Sequence, residues 1–169
     1  PFSVAGAVGF SNQAQFHPLK FVAALAKHLH IYEHTYVKEL KPHVAVSNRG
    51  NISFDQVIFA THFPIDNKHG MYFMKLYQHR SYVISYEQAQ NVEGMYVDEA
   101  MGGMTFRNYG DSLLIGGGDH RTGKQGGAWK EIEGFAREHY KEARETARWA
   151  TQDCMSLDGL PYIGLYSKN

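Results

Sequence analysis

The residues that most resemble a chemical motif form a glycine-rich basic loop at positions 118–124. They satisfy the pattern G-x-x-x-x-G-K, in which backbone N–H groups and the lysine bind the phosphates of a nucleotide. The following residue is Gln125, where the motif requires Ser or Thr to hold magnesium, and Gly126 and Gly127 interrupt the start of the helix that would point at the phosphate. Two interpretations remain: a non-redox module that binds a phosphate-bearing ligand through this loop, and a glycine-rich turn with a basic rim at a sheet edge.

Ten histidines and one cysteine raise the question of a metal site. His28 and His30 lie two positions apart, so a helix would place them on different faces. The other eight histidines show no paired spacing with cysteine or carboxylates of the kind that zinc sites have. We therefore expect no bound metal. The sequence also has no G-x-S-x-G elbow for a catalytic serine, and no family signature surrounds Cys154.

The composition is typical of a soluble domain. Seventeen basic and seventeen acidic residues cancel, so no net field attracts nucleic acid or a membrane, and no apolar stretch approaches the ~20 residues that cross a bilayer. The single cysteine excludes an internal disulfide and favours a reducing compartment, which makes the cytoplasm the default expectation. Residues 1–10 carry no charge, and a new strand begins within residues 157–164, close to the end of the sequence. These two features predict that the sequence is an internal piece of a larger protein.

Periodicity in the first part of the chain predicts a helix, a strand and a hairpin. The helix begins at Pro18, where proline suits the first turn, and ends near His30. Val22, Leu25, Ala26 and Leu29 form its apolar stripe. A strand over residues 31–40 follows, and residues 43–47 then pair with the extended run from Ile52 across a turn at residues 48–51.

The later elements divide into two kinds. Residues 57–61 are continuously apolar and β-branched, which predicts a strand covered on both faces, as in a parallel α/β sheet. The pattern predicts four further strands, over residues 76–87, 94–98, 104–108 and 113–117. Turns rich in Gly, Asp and Asn join the last three, which should therefore be antiparallel neighbours. A second helix is predicted over residues 129–148, because Ile132, Phe135, Ala136, Tyr140, Ala143 and Ala147 form one stripe.

Six short motifs occur in the order that a known family of flavoenzymes shows, and together they cover nearly the whole chain. The chain therefore resembles the D-amino-acid oxidase, glycine oxidase and sarcosine oxidase superfamily of FAD-dependent oxidoreductases. The motifs are Gln13-Ala-Gln-Phe-His17-Pro18, Thr35-x-Val37, Asp55-Gln-Val57-Ile-Phe-Ala60-Thr61, Gln78-His-Arg80-Ser-Tyr82-Val83, Leu113-Leu-Ile-Gly116-Gly117 and Leu157-Asp158-Gly159-Leu160-Pro161-Tyr162-Ile163-Gly164.

The resemblance implies an α+β fold: an α/β fragment followed by an antiparallel substrate-lobe sheet with helices, similar to the C-terminal domain of FAD-linked reductases. Residues 1–75 would be part of the FAD-binding lobe, residues 76–148 the substrate lobe, and residues 149–169 a return segment to the FAD lobe. It also implies that FAD contacts Val37 and the end of the 57–61 run in the first lobe. The implied cofactor-binding residues are Val37, Ala60, Thr61, Asp158, Gly159 and Pro161.

The family's G-x-G-x-x-G turn, which binds the FAD pyrophosphate, is absent. The resemblance therefore implies FAD in the complete protein, and we expect this fragment to bind it weakly or not at all and to be inactive by itself. The implied reaction is oxidation of an amine or amino acid by hydride transfer to the flavin, with the cofactor carrying the chemistry.

The substrate-binding residues are harder to assign. Family members that oxidise amino acids often bind the carboxylate through an arginine near the return segment, but no arginine follows Trp149 here. Four residues remain as candidates for substrate binding: Arg80, Tyr82, Arg107 and Arg121. Each arginine could equally be a surface residue that pairs with a local carboxylate. Cys154 lies near the position at which sarcosine-oxidase-like members attach FAD covalently, although its spacing to Asp158 is short.

Overall fold

The computed structural model describes residues 2–66 and 70–165. The described residues divide into two compact units, one of residues 4–59 and the other of residues 2–3, 60–66 and 70–165. The described residues form two antiparallel sheets and two α-helices, which confirms the predicted α+β class.

The smaller unit contains the first helix, α1 (Pro18–Ala26). It begins as predicted, with Pro18 in the first turn and with His17 Nδ1 accepting the N–H of Lys20 at 3.3 Å. It ends four residues earlier than predicted, because the N–H of Leu29 bonds to the carbonyl of Ala26 and tightens the last turn. The apolar stripe is exposed: Leu25 and Leu29 are 59% and 66% accessible.

A three-stranded antiparallel sheet follows α1 and contains the predicted hairpin. Its strands are β1 (Val37–Lys41), β2 (Val44–Ser47) and β3 (Gly50–Ser53), in that spatial order. Asn48 fixes the β2–β3 turn, since its side-chain oxygen accepts the N–H of Tyr36 at 2.7 Å. The strand predicted for residues 31–40 begins only at Val37.

The buried parallel strand predicted over residues 57–61 was wrong. These residues are in no strand, and Ile58 is 88% exposed. A β-branched run stays in a sheet only where neighbouring strands satisfy its backbone N–H and C=O groups. No strand in the described ranges pairs with this run.

The larger unit is built on a five-stranded antiparallel sheet with the order β5-β6-β7-β4-β8. Four of its strands lie where the alternation predicted them. These are β4 (Leu76–Glu87), β5 (Met95–Val97), β6 (Thr105–Tyr109) and β7 (Ser112–Arg121). A short 3₁₀ helix, Tyr72–Met74, precedes β4.

The second helix, α2 (Ala128–His139), is much shorter than the predicted 129–148. That prediction was wrong at its end, because Arg144–Ser156 forms β8, which pairs with the whole length of β4. The turn between the two elements is closed by the N–H of Ala143, which bonds to the carbonyl of Tyr140 at 2.9 Å. The five-stranded sheet therefore continues past residue 149 into the segment assigned to the return.

Helix α2 packs on one face of this sheet and encloses the core. Ile84, Leu113 and Ile115 from the strands and Ile132 from the helix are fully buried there. Phe106 points toward the helix as predicted, with its ring 5.3 Å from that of Phe135. The opposite face of the sheet has no helix on it among the described elements. We call it the open face.

Arg148 of β8 ties the sheet to α2. Its guanidinium contacts Glu133 of the helix at 2.8 Å, contacts Glu145 of its own strand, and lies 5.7 Å from the ring centre of Trp129. The hydrogen bond from Arg148 holds the pKa of Glu145 below its usual range. These groups are partly exposed, so the network positions the helix more than it stabilises it.

Candidate active site on the open face

A cavity of about 250 Å³ lies on the open face of the five-stranded sheet. Strands β4, β6 and β7 form its floor, and residues 97–103 form its wall. Its floor and wall include Ser81, Val83, Val97, Thr105, Gly116 and Asp119. Because α2 supports the opposite face, the floor is held rigidly by the hydrophobic core.

The wall of the cavity is a closed turn between β5 and β6. The carboxylate of Asp98 accepts the N–H of Ala100 at 3.1 Å, and the N–H of Asp98 bonds to the carbonyl of Met104 at 3.0 Å. Gly102 has φ +77°, a left-handed conformation that favours glycine. The charge of Asp98 is therefore used to hold its own turn.

The floor depends on glycine at position 116. A Cβ on Gly116 would overlap the hydroxyl of Thr105 on the neighbouring strand. Glycine there lets Thr105 lie flat against β7 and keeps the floor shallow. The cavity floor thus presents the hydroxyls of Ser81 and Thr105 beside the side chain of Val83.

Asp119 is a cavity residue that the sequence analysis did not single out. It lies in β7 and lines the cavity, and its carboxylate is 25% exposed. Its Oδ1 lies 3.8 Å from the position that a Cβ on Gly102 would occupy, so the carboxylate faces the cavity wall. The signal was present in the glycine-rich loop, but the G-x-x-x-x-G-K pattern directed attention to the lysine.

The structure brings Arg80 and Tyr82 together, but not at the cavity centre. The guanidinium carbon of Arg80 lies 6.0 Å from the ring centre of Tyr82. Tyr82 is 7% exposed and packs edge-on against Trp129 of α2 at 4.8 Å, so its ring belongs to the core on the helix side. Its hydroxyl lies 2.9 Å from Nε2 of His120.

His120 links this tyrosine to the end of β7. Its Nδ1 lies 3.0 Å from the carbonyl oxygen of Arg121, and a carbonyl can only accept, so Nδ1 carries the proton. The other ring nitrogen, Nε2, is the hydrogen-bond partner of the Tyr82 hydroxyl. The hydroxyl predicted to bind substrate is thus already engaged within the protein.

The other two candidate arginines lie apart from Arg80. Arg107 is exposed on β6, which β7 separates from β4, and the alternation places it on the open face with Thr105. Arg121 lies at the end of β7, with its guanidinium 5.0 Å from the ring centre of Tyr77. The four candidates do not converge on one point, and no arginine or lysine is among the described residues that line the cavity.

The glycine-rich loop has a packing role. Gly118 and His120 are strand residues of β7, and the N–H of Lys124 closes a turn onto the carbonyl of Arg121 at 3.0 Å. Gly118 has φ +63°, and a Cβ there would overlap the backbone of Ala128 at the start of α2. Because Gly118 packs against the start of α2 and His120 and Arg121 pair with β4, the loop does not wrap around an anion.

The residues implied to contact FAD lie in both units. Val37 begins β1 in the smaller unit. In the larger unit, the Thr61 hydroxyl donates to the carbonyl of Phe63 at 2.8 Å. Ala60 and Pro161 lie outside the helices and strands.

The return segment forms a tight turn. Gly159 has φ +75°, and the carboxylate of Asp158 accepts the N–H of Leu160 at 3.1 Å, which lowers the pKa of Asp158. This turn follows directly from β8, and the N–H of Leu157 bonds to the carbonyl of Lys75 at 3.2 Å. The turn is therefore held at the start of β4.

These residues fit FAD in part. The open face offers an uncovered surface to the ring end of a flavin, whereas the described residues contain no G-x-G-x-x-G turn between a strand and a helix for the pyrophosphate. Cys154 is half-buried on β8, and burial raises the pKa of its thiol, which disfavours the reactive thiolate.

Residues 2–66 and 70–165 contain neither a metal-binding cluster nor a membrane-spanning helix. No three His, Cys, Asp or Glu side chains there lie close enough together to hold a metal ion. Neither α-helix of this part of the chain is long and apolar enough to cross a bilayer.

Comparisons with known proteins agree with this architecture. The chain is 31% identical to a Bacillus subtilis (strain 168) protein, YhfW, whose name describes a Rieske 2Fe-2S iron–sulfur protein; the match covers 96% of this chain and 35% of that protein. Glycine oxidase from Geobacillus kaustophilus has a similar fold, with a TM-score of 0.64 and 19% identity over 81% of this chain and 40% of that one. The chain thus spans well under half the length of both proteins. The model of the family described as FAD dependent oxidoreductase matches residues 1–169, and the chain belongs to that family.

Proposed function

We propose that the complete protein oxidises an amine or amino acid and that the substrate binds at the cavity on the open face. The observation that carries this proposal is the cavity itself, because it lies on the uncovered side of the five-stranded sheet in a chain of the FAD-dependent oxidoreductase family. Substrates of cofactor enzymes are bound in concave sites with a few polar groups, and this cavity has that character.

The chain's own contribution is to orient the substrate and to keep water away. The sheet is stiffened by α2 on its other face, and hydroxyls of Ser81 and Thr105 surround the floor. When bound, FAD would supply the acceptor for the hydride from the carbon beside the substrate nitrogen, and loss of that hydride and a proton would convert the amine into an imine.

This chain does not supply the ligands of a Rieske iron–sulfur centre. A Rieske centre is bound by two cysteines and two histidines, and this sequence has one cysteine. Among the described residues, Cys154 also has no neighbouring pair of His or carboxylate side chains with which to form a metal site. Any such centre in the complete protein would need ligands from outside this segment.

Anaerobic titration of the full-length flavoprotein tests the proposal. A panel of primary, secondary and α-amino-acid amines should include members that bleach the visible absorption band of the oxidised flavin. Dithionite is the control, since it reduces the flavin without using the substrate site. Bleaching by dithionite with no response to any amine or amino acid would contradict the proposal.

A further inference from the structure

We infer that the cavity selects a small aliphatic amine without a carboxylate, and that Asp119 is the partner of its ammonium group. This inference rests on the proposed function and assigns a substrate class to the same site. It is carried by three features of the cavity: the state of Asp119, the absence of lining cations in the described residues, and the chemistry of the walls.

Asp119 is a half-buried carboxylate with no close hydrogen-bond donor among the described residues. Its side chain is 25% exposed, and the imidazole Nδ1 of His79 lies 3.8 Å from its Oδ2. That separation is longer than a hydrogen bond. A carboxylate removed from water without such a bond is costly, and a positively charged donor within the cavity would offset that cost.

The electrostatics of the cavity disfavour a second carboxylate. The ionisable side chains that line it are Asp98 and Asp119, both acidic. Asp98 already accepts a backbone N–H within its own turn, which leaves Asp119 as the group directed at a ligand. An amino acid would bring its carboxylate into a space that holds negative charge, while Arg80 packs against Tyr82.

The size and the walls of the cavity limit the part of the substrate that lies beyond its ammonium group. A volume of about 250 Å³ holds a small molecule. Val83, Val97 and Ala100 supply apolar contacts beside the acidic group, and no basic side chain among the described lining residues is available for a second negative charge. A short alkyl chain that ends in an ammonium group matches both parts of the site.

Two ligands that differ only in a carboxylate test this inference in the full-length flavoprotein. n-Pentylamine and norleucine have the same carbon chain and amino group, apart from the carboxylate of norleucine. Anaerobic flavin reduction at increasing concentration gives an apparent Kd and a limiting rate for each. We expect the apparent Kd of n-pentylamine to be lower by about tenfold or more, because the carboxylate of norleucine would be repelled by Asp98 and Asp119.

Variants at position 119 then identify the residue responsible. Asp119→Asn should raise the apparent Kd of n-pentylamine by about tenfold to a hundredfold, because it removes the charge and keeps the shape. Asp119→Glu, which retains the charge, should restore most of the affinity. Asp111→Asn is the matched control, since Asp111 is an exposed carboxylate in the β6–β7 turn. The melting temperature and flavin spectrum should be unchanged in all three.

The outcomes separate this inference from the proposed function. Equal apparent Kd values for n-pentylamine and norleucine would overturn the inference and leave the proposed function standing, and so would an unaltered Kd in Asp119→Asn. Loss of affinity in both Asp119→Asn and Asp119→Glu to the same extent would also overturn it, because a purely steric role would be shown. Failure of every amine and amino acid to reduce the flavin would remove the proposed function itself.

Discussion

Replacing Ile132 with alanine is expected to lower the free energy of unfolding of the complete protein by about 2–5 kcal/mol. Ile132 is fully buried between α2 and the five-stranded sheet, where it packs with Leu113, Ile115 and Ile84. Alanine would leave a cavity at the only helix packed on this sheet in the described structure. Urea unfolding monitored by circular dichroism measures the change.

The control for this experiment lies on the same helix. Lys130 is exposed on α2, and Lys130→Ala should change the free energy of unfolding by less than about 0.5 kcal/mol, since both residues are good helix formers. Equal unfolding curves for Ile132→Ala and Lys130→Ala would show that α2 does not cover the sheet as described here.

Gly118→Ala is expected to cost at least about 2–4 kcal/mol in unfolding free energy, from backbone strain and overpacking together. Gly118 has φ +63°, and an added Cβ would overlap the carbonyl oxygen and nitrogen of Ala128. Relief requires α2 to move away from β7, which would loosen the core. Thermal unfolding of the complete protein should therefore begin at a lower temperature.

Gly123→Ala is the matched control in the same loop. Gly123 has φ +83° but nothing within 4 Å of an added Cβ, so alanine meets only the backbone strain of about 1–2 kcal/mol. The difference between the two variants isolates the contact with α2. Similar losses of stability in Gly118→Ala and Gly123→Ala would contradict the close packing of β7 against the start of α2.

The antiparallel strands of the larger unit were predictable because their information is local. Phe106 alternates with Thr105 and Arg107, and turns rich in glycine and asparagine separate β6 from β7. The hairpin of the smaller unit was predictable for the same reason. Within its turn, the hydroxyl of Ser47 donates to the carbonyl of Gly50 at 2.7 Å.

The residue at which α2 ends could not be predicted from the local pattern of apolar residues. Ala143 and Ala147 fit a helical stripe, but the segment that begins at Arg144 instead completes a ladder with β4, some sixty residues earlier in the chain. For residues 57–61 the local pattern predicted a strand that does not form. Their composition suits a buried strand, yet the described residues provide no strand to pair with them. Long-range pairing decides both cases.

The candidate site was predicted only in outline. The alternation placed Phe106 toward the helix and left Thr105 on the other face, where the cavity lies. It also grouped Arg80 with Tyr82, but it could not show that Tyr82 faces α2 and bonds to His120. Asp119 could not be identified from the sequence. Its burial and its lack of a close hydrogen-bond donor distinguish it from other carboxylates, and both are properties of the folded chain.

The position of the flavin relative to the open face is the most direct test of this account. A crystal structure of the full-length protein with FAD bound would measure it. We expect the flavin ring to lie across the cavity from Asp119, on the side of the sheet opposite α2, with room for a small amine between them. A flavin on the α2 side of the sheet, or one separated from the cavity by other protein, would contradict the assignment of the open face as the substrate side.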